Sequence, residues 1–251
     1  MKIAGSQMMF LLITAPFVGS FLGVIATRLP EGRPIIIGRS ACPQCGHLLN
    51  PRDLVPLVSW MMRRGRCRYC DARIDILCPA AETAALVIAV WCIVVLPGPL
   101  VWVGAVFGWT LLTLAVIDQR HLLLPDRLTL PLAAGGLLYA SLLGTGEVVG
   151  QLAGALLGFL SFRLLSSGYR LVRGREGLGA GDGKLFGAIG AWVGWQGLPT
   201  ALLYAAVSGL LWSLAWGRSG RPLRLQTPLP FGPHLCIAGW LVWLYGPLDL
   251  R

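Results

Sequence analysis

Two aspartates at the ends of apolar stretches are the residues of this chain best suited to chemistry. Asp118 closes the run VWVGAVFGWTLLTLAVID, and Asp182 precedes another apolar run in EGLGAGDGKLFGAIGAWVGW. Carboxylates at membrane depth are energetically expensive, so they are rare and commonly functional. Two carboxylates that meet can share one proton and activate a water molecule for peptide hydrolysis. We therefore expect the fold to bring Asp118 and Asp182 together as a catalytic pair.

The surroundings of each aspartate favour this role. Asp118 stands at the predicted carboxyl end of a helix, where the macrodipole disfavours a negative charge and a capping role is absent. Alternating glycines flank Asp182, which lets another chain approach closely and suits an extended peptide. These glycines are Gly177, Gly179, Gly181 and Gly183. A phosphate-binding loop is the rival interpretation, but the Walker A spacing is absent and a carboxylate would repel phosphate.

A third aspartate, Asp126, has a structural explanation. It follows Pro125 at the predicted start of the next helix, where it can accept backbone N–H bonds as an N-cap. We therefore leave Asp126 out of the expected catalytic pair. His121 and His234 have no serine or cysteine beside them in a recognisable motif, so hydrolysis through such a nucleophile is not favoured.

Four cysteines form two C-x-x-C pairs in CPQCGHLLNPRDLVPLVSWMMRRGRCRYC. The pairs are Cys42 with Cys45 and Cys67 with Cys70. Together they can supply four thiolates to one tetrahedral Zn²⁺, and four cysteines fill the coordination sphere, so the expected role is structural. Two disulfides are the alternative, which the predicted cytosolic side of the loop disfavours because thiols stay reduced there.

The remaining candidate ligands have ordinary explanations. His47 follows the first cysteine pair, and we interpret it as a surface or packing residue rather than a further ligand. Cys78, Cys92 and Cys236 are scattered along the chain without a ligand partner, so we expect them to be small buried residues.

The composition predicts an all-α, polytopic membrane protein. The 251 residues are 55% hydrophobic and 13% charged, with a mean hydropathy of +0.69. A soluble domain carries about 25% charged residues, and here the apolar residues are arranged in long runs. The net charge of +10 resides in basic blocks between these runs, the pattern of loops that face anionic lipid. No recognition module accompanies the charge, so we expect membrane lipid and no nucleic acid as a partner.

We predict about eight transmembrane helices, most of them near the roughly 20 residues that a span needs. They lie near residues 8–27, 80–97, 99–118, 128–144, 147–167, 184–197, 199–217 and 230–248. The sixth is short and rich in glycine. It is either a short helix packed inside the bundle or a re-entrant segment.

The basic residues predict the orientation of these spans. Nine arginines lie in residues 28–79, and the later loops on the same predicted side contain all the other Lys and Arg residues except the terminal Lys2 and Arg251. By the positive-inside rule, both termini are periplasmic and the 28–79 loop is cytoplasmic. This topology places both candidate aspartates at the cytoplasmic face. A cleaved signal peptide at the first span is disfavoured because the arginines follow it rather than precede it.

The predicted organisation therefore has three regions. Residues 1–27 form the first transmembrane helix, residues 28–79 form the cytoplasmic zinc-binding loop, and residues 80–251 form the membrane-embedded core with both aspartates.

The chain resembles the bacterial prepilin peptidases, or type IV leader peptidases, which are GxGD-type intramembrane aspartyl proteases. The resemblance covers nearly the whole chain in order. Its motifs are GSFLGVIATRLP, the four-cysteine loop with VPLVSWMMRRGRCRYC, AVIDQRHLLLPDRLTLPL, GLGAGDGKLFGAIGAWVGW and LPFGPHLCIAGW.

The resemblance implies a function and a location. Asp118 and Asp182 map to the catalytic pair, which would cut a basic leader peptide from type IV prepilins or type II secretion pseudopilins after a glycine. The cleavage would occur at the cytoplasmic face of the bacterial inner membrane. Members with the four-cysteine loop also N-methylate the new N-terminal residue with S-adenosylmethionine, so the resemblance implies that second activity and the loop's association with it.

The chain departs from the family pattern near the loop. Gly23 replaces an asparagine, and Cys78 replaces a tyrosine in CPAAETAAL, which keeps Glu82. These departures bear on methylation more than on proteolysis. No residue pattern assigns the methyl-donor site. Glu82 is a candidate, although a carboxylate near a helix start is explained equally well by the macrodipole.

Three other interpretations compete with this one. A GxGD-type protease could remove other signal peptides. A transporter could use an intramembrane acidic pair, but that leaves the cysteine loop and the cytoplasmic position of both aspartates unexplained. A membrane scaffold that docks a partner on its zinc loop leaves Asp118 unexplained.

Overall fold

The computed structural model describes residues 5–142, 148–173, 179–218 and 230–248. Within them the fold is all-α, as predicted, with no strand beyond two isolated β-bridges in the cysteine loop. The helices are α1 (Gly5–Arg28), α2 (Val58–Met62), α3 (Leu77–Val95), α4 (Leu100–His121), α5 (Asp126–Leu142), α6 (Val148–Arg173), α7 (Ala180–Arg218) and α8 (Gly232–Tyr245). A single 3₁₀ turn covers Pro51–Leu54.

Five helices of the described chain are long and apolar enough to cross a membrane: α1, α3, α4, α6 and α7. α5, with 17 residues, and α8, with 14, are shorter than a typical span. The chain is therefore a multi-pass membrane protein by the length and composition of its helices. The exact number of eight spans stays a prediction.

The predicted sixth and seventh spans form one element, α7, which is broken at Gly194. This glycine has φ 70° and ψ 174°, so the helix stops there and begins again on its far side. A left-handed φ of this kind is open to glycine at little cost. Most side chains of residues 185–192 are buried. This supports the interpretation of the sixth segment as a short helix packed inside the protein.

The chain divides into two compact units, residues 1–113 and 114–251. In the first unit, α1 packs closely against α3. A Cβ atom at Gly19 would lie 2.5 Å from the Cα of Glu82, so only glycine permits this approach. The indole Nε1 of Trp109 donates a hydrogen bond of 3.0 Å to the carbonyl of Ala85, which attaches the start of α4 to α3.

In the second unit, the first half of α7 forms the core among α5, α6 and α8. α6 and α7 meet along small residues, and Gly154 and Gly190 approach so closely that a Cβ on either would clash with the backbone of the other. Trp192 Nε1 donates to the carbonyl of Leu132 on α5 over 2.8 Å. Gly239 of α8 lies against Ile189. The segment that follows Asp182 is therefore held by contacts from three helices.

Candidate active site and metal centre

Asp118 lies in the last turn of α4, and α8 compensates for its unfavourable position there. The carboxylate is buried, with 5% of the residue exposed. Its Oδ2 accepts a hydrogen bond of 2.9 Å from the backbone N–H of Gly232, the first residue of α8. The first N–H groups of a helix have no partner inside the helix and carry its positive end. The amino-terminal end of α8 therefore provides the positive electrostatic environment that the carboxyl end of α4 lacks.

The sequence interpretation did not include Gly232, although the sequence carries a signal for it. A Cβ atom on this residue would lie 2.6 Å from Oδ2 of Asp118, so the carboxylate occupies the space of the missing side chain. Pro233 follows directly and marks the first turn of a helix. A glycine before such a proline has a backbone N–H that can donate to a carboxylate and no side chain that would block the carboxylate's approach.

Asp182 lies in the first turn of α7 and is partly exposed. Its N–H donates to the carbonyl of Gly179 over 3.1 Å, and a Cβ on Gly179 would lie 3.1 Å from its Oδ2. Gly181 packs against Leu124, where a Cβ would lie 3.0 Å from the Leu124 Cβ. Of the four alternating glycines, Gly177 lies outside the described residues. The other three glycines pack against the protein's own side chains, and the expected approach of a substrate peptide stays a prediction.

The fold brings Asp118 and Asp182 near each other within the second unit. The two carboxylates are close enough to repel each other electrostatically. Cys236, a buried thiol on α8, lies within electrostatic range of both. A partly exposed and a buried carboxylate within electrostatic range of each other are candidates for acid–base hydrolysis, in which two carboxylates share one proton.

Asp126 is not an N-cap, so that part of the sequence interpretation is wrong. It is the first residue of α5, and Pro125 supplies the carbonyl for the first N–H bonds of the helix. Both oxygens of Asp126 instead accept hydrogen bonds from Lys184 Nζ, at 2.6 and 2.9 Å. The two residues are 58 positions apart, so no local pattern could have predicted the pair. Asp126 remains outside the catalytic pair.

In the first unit, the four cysteines of the loop converge as predicted. The Sγ atoms of Cys42, Cys45, Cys67 and Cys70 all lie within 4.8 Å of one another. Cys42 and Cys70 Sγ are 3.7 Å apart, too far for a disulfide. A tetrahedral zinc with Zn–S bonds of about 2.3 Å would place its sulfurs about 3.8 Å apart. The cluster therefore fits one metal ion.

The two cysteine pairs are built alike. In each, the backbone N–H of the first cysteine donates to a carbonyl beyond the turn: Cys42 donates to His47, and Cys67 donates to Ala72. Gly46 and Asp71 follow the second cysteine of each pair with φ 69° and 59°. A repeated turn of this kind directs both sulfurs of a pair to the same point.

The pKa values of two cysteines in the cluster are shifted in opposite directions. Backbone hydrogen bonds from Cys45 and Gln44 lower the pKa of Cys42 to about 6. The pKa of Cys70 is raised to about 12, because its backbone hydrogen bond to Ala72, which lowers it, is outweighed by desolvation and by hydrogen bonds with the other three sulfurs. Four thiols so close together ionise together only when a cation balances them.

The remaining sequence interpretations near this site have mixed outcomes. His47 stacks on Tyr69 with ring centroids 3.6 Å apart, and the four-cysteine group does not include it. Cys92 and Cys236 are buried as predicted. Cys78 is exposed, so its predicted burial is wrong. It is the second residue of α3.

Two family models match the chain. Residues 13–96 match the bacterial peptidase A24 N-terminal domain, and residues 105–214 match the type IV leader peptidase family. The chain belongs to the type IV leader peptidase family. The resemblance drawn from the motifs is therefore confirmed, as is the prediction that this family member is an enzyme.

Curated relatives support the assignment over most of the chain. A protein of Aeromonas salmonicida (strain A449) is 36% identical over 91% of this chain and 87% of its own length. One of Dichelobacter nodosus is 38% identical, with coverage of 88% and 77%. One of Pseudomonas aeruginosa is 35% identical, with 91% and 87%. Each is named a prepilin leader peptidase/N-methyltransferase. No solved structure matches the chain significantly.

Proposed function

We propose that this leader peptidase cleaves prepilins or pseudopilins with Asp118 and Asp182 as its catalytic pair. The observation that carries the proposal is the meeting of the two carboxylates from α4 and α7 within electrostatic range of each other. The names of the relatives supply the substrate class, a protein with a leader peptide.

The reaction follows from one proton shared by two carboxylates. The ionised carboxylate takes a proton from water as the water oxygen attacks the scissile carbonyl carbon. The protonated carboxyl polarises the scissile carbonyl and transfers its own proton to the carbonyl oxygen. The tetrahedral intermediate then collapses, the C–N bond breaks, and the leaving nitrogen receives a proton from the pair. Gly232 N–H orients Asp118 throughout.

The membrane orientation belongs to the same proposal. Both termini are periplasmic, the 28–79 loop is cytoplasmic, and the aspartate pair lies at the cytoplasmic face of the bacterial inner membrane. The support is the distribution of basic residues: nine arginines lie in that one loop. In this orientation the basic leader of a substrate stays in the cytoplasm while its apolar segment lies in the bilayer.

The second proposed activity is methylation of the amine that cleavage exposes. The methyl group would move from the sulfonium of S-adenosylmethionine to that nitrogen, which loses a proton. We propose that residues 28–79 are associated with this reaction and residues 80–251 with cleavage. Zn²⁺ held by the four cysteines would fix the loop as a structural ion, because four thiolates leave no open position.

A cleavage assay with a purified prepilin and the full-length enzyme tests the peptidase proposal. Asp118→Asn and Asp182→Asn should each abolish cleavage, because each removes one partner of the shared proton. Asp126→Asn is the matched control, since it keeps a hydrogen-bond acceptor for the exposed Lys184 and should cleave normally. Full cleavage by either of the first two variants would reject the pair.

A further inference from the structure

Helix α2 carries an apolar face that no described residue covers. Val58, Met61 and Met62 are 52%, 70% and 79% exposed, although they lie in the loop outside the spans. Arg63 and Arg64 follow directly. Apolar side chains next to arginines are the composition of segments that lie in the surface of a membrane.

The hydrogen bond of Glu82 fixes how deep α2 lies. Glu82 is the sixth residue of α3, about 8 Å along the helix from Leu77. Its Oε2 accepts a bond of 2.7 Å from the backbone N–H of Leu57, the residue before α2. The side chain is buried, with 6% exposure. The start of α2 is therefore held beside α3, within one side-chain length of Glu82 and so inside the amino-terminal end of that helix.

The contact with α1 shows that Glu82 also lies inside the end of a second helix. Gly19 packs on the backbone of Glu82 and lies nine residues before Arg28, the last residue of α1, which is about 14 Å along that helix. Relative to the ends of both α1 and α3, the loop turns back toward the membrane at Leu57, just before α2 begins. Glu82 is the hydrogen-bond partner of the Leu57 N–H at this level.

We propose that α2 lies in the lipid–water boundary of the cytoplasmic leaflet, with anionic phospholipid as its partner. Val58, Met61 and Met62 enter the acyl boundary, and Arg63 and Arg64 bind the headgroup phosphates. The arginines set the choice of anionic lipid by charge complementarity. Ile36 and Ile37 are also exposed, but no contact fixes their depth, so they are not part of the proposal. The inference rests on the proposed orientation and is independent of the catalytic pair.

The methionines offer a direct test in the full-length protein. The chain contains five: Met1, Met8, Met9, Met61 and Met62. Methyl-¹³C-methionine protein in phosphatidylcholine–phosphatidylglycerol nanodiscs should give a simple NMR spectrum, in which Met61→Leu and Met62→Leu assign the two α2 signals. We expect a lipid with a spin label near its headgroup to broaden both signals, and a water-soluble gadolinium chelate to leave both sharp.

The controls lie in the same spectrum. Met9 in α1 should respond to the lipid label, which shows that the label reaches a lipid-facing methionine. Arg63→Gln with Arg64→Gln should weaken the broadening of both α2 signals, as should discs of phosphatidylcholine alone. Broadening of Met61 and Met62 by the chelate would place α2 in water and overturn the proposal. Protection from both reagents would mean that protein covers the face, which overturns it as well.

Discussion

Gly232 shows how one residue without a side chain can hold a buried carboxylate in place. Its N–H donates to Asp118, and its missing Cβ leaves the space that Oδ2 occupies. Asp118 itself was predictable from the sequence, because a carboxylate closing an apolar run is costly. The Gly-Pro pair at Gly232 signals a helix start, but the sequence does not tell which carboxylate binds there, because the two residues are 114 positions apart and only the tertiary fold brings them together. The pair of Asp126 and Lys184 was hidden for the same reason.

Gly232→Ala should reduce prepilin cleavage strongly. The added methyl group would displace the carboxylate from a hydrogen bond to a charged group, an interaction of about 1.5–3 kcal/mol. This corresponds to a fall of roughly 10- to 100-fold in kcat/KM. Gly168→Ala is the matched control, since a Cβ there meets nothing within 4 Å. Equal rates for Gly232→Ala and wild type would show that this contact does not orient Asp118.

The four-cysteine cluster leads to a prediction about the metal content of the protein. Purified protein should contain about one zinc per chain, as four thiolates imply. Cys67→Ser should lose it, because the remaining three ligands leave the site open. Cys78→Ser is the control, because this exposed cysteine lies outside the cluster. Elemental analysis of the three proteins decides, and full zinc content in Cys67→Ser would refute the four-ligand site.

At the scale of elements, the sequence predicted the apolar runs well and their contacts poorly. Hydropathy located every long helix because the apolar runs are continuous. It divided α7 between residues 197 and 199, whereas the helix breaks at Gly194, in a conformation that glycine permits and hydropathy does not detect. The contact of Glu82 with Leu57 was also beyond prediction, since a helix-start carboxylate has a local explanation that conceals a distant partner.

Substitutions of Glu82 should separate its role as an acceptor from its charge. Glu82→Ala leaves the Leu57 N–H without its partner, which costs about 1–3 kcal/mol. Hydrogen exchange of the full-length protein should show faster exchange in residues 55–62. Glu82→Gln keeps an acceptor oxygen and should retain most of the protection. If Gln were as damaging as Ala, the charge rather than the hydrogen bond would hold the loop.

The contact between α6 and α7 makes a second prediction for elements. Gly154→Leu should separate the helices, because the added side chain has no space beside Gly190. Overpacking of this kind costs about 1–3 kcal/mol, so the unfolding temperature should fall. Gly168→Leu on the same helix lies in open space and should leave it nearly unchanged. Similar unfolding temperatures for both variants would contradict the close packing of α6 on α7.

In the molecule as a whole, the candidate metal centre and the candidate active site lie in different compact units. The cysteine cluster lies within residues 1–113, and the aspartate pair lies within residues 114–251. Motif order along the chain was enough to identify the family, since the motifs of both units follow one another in sequence. The geometry inside each unit required the structure, because spacing in sequence does not report which helix ends meet.

Because α7 is broken at Gly194, the position of Asp182 need not depend on the thickness of the bilayer. Residues 195–218 are long enough to cross the roughly 30 Å of hydrocarbon alone, so they can tilt to fit a thinner or thicker membrane. The first half of α7 is held by protein on three sides and need not follow. Cleavage rates should therefore change little between short-chain and long-chain phosphatidylcholine bilayers. Gly194→Ala, which favours one continuous helix, should make the rate depend on acyl-chain length.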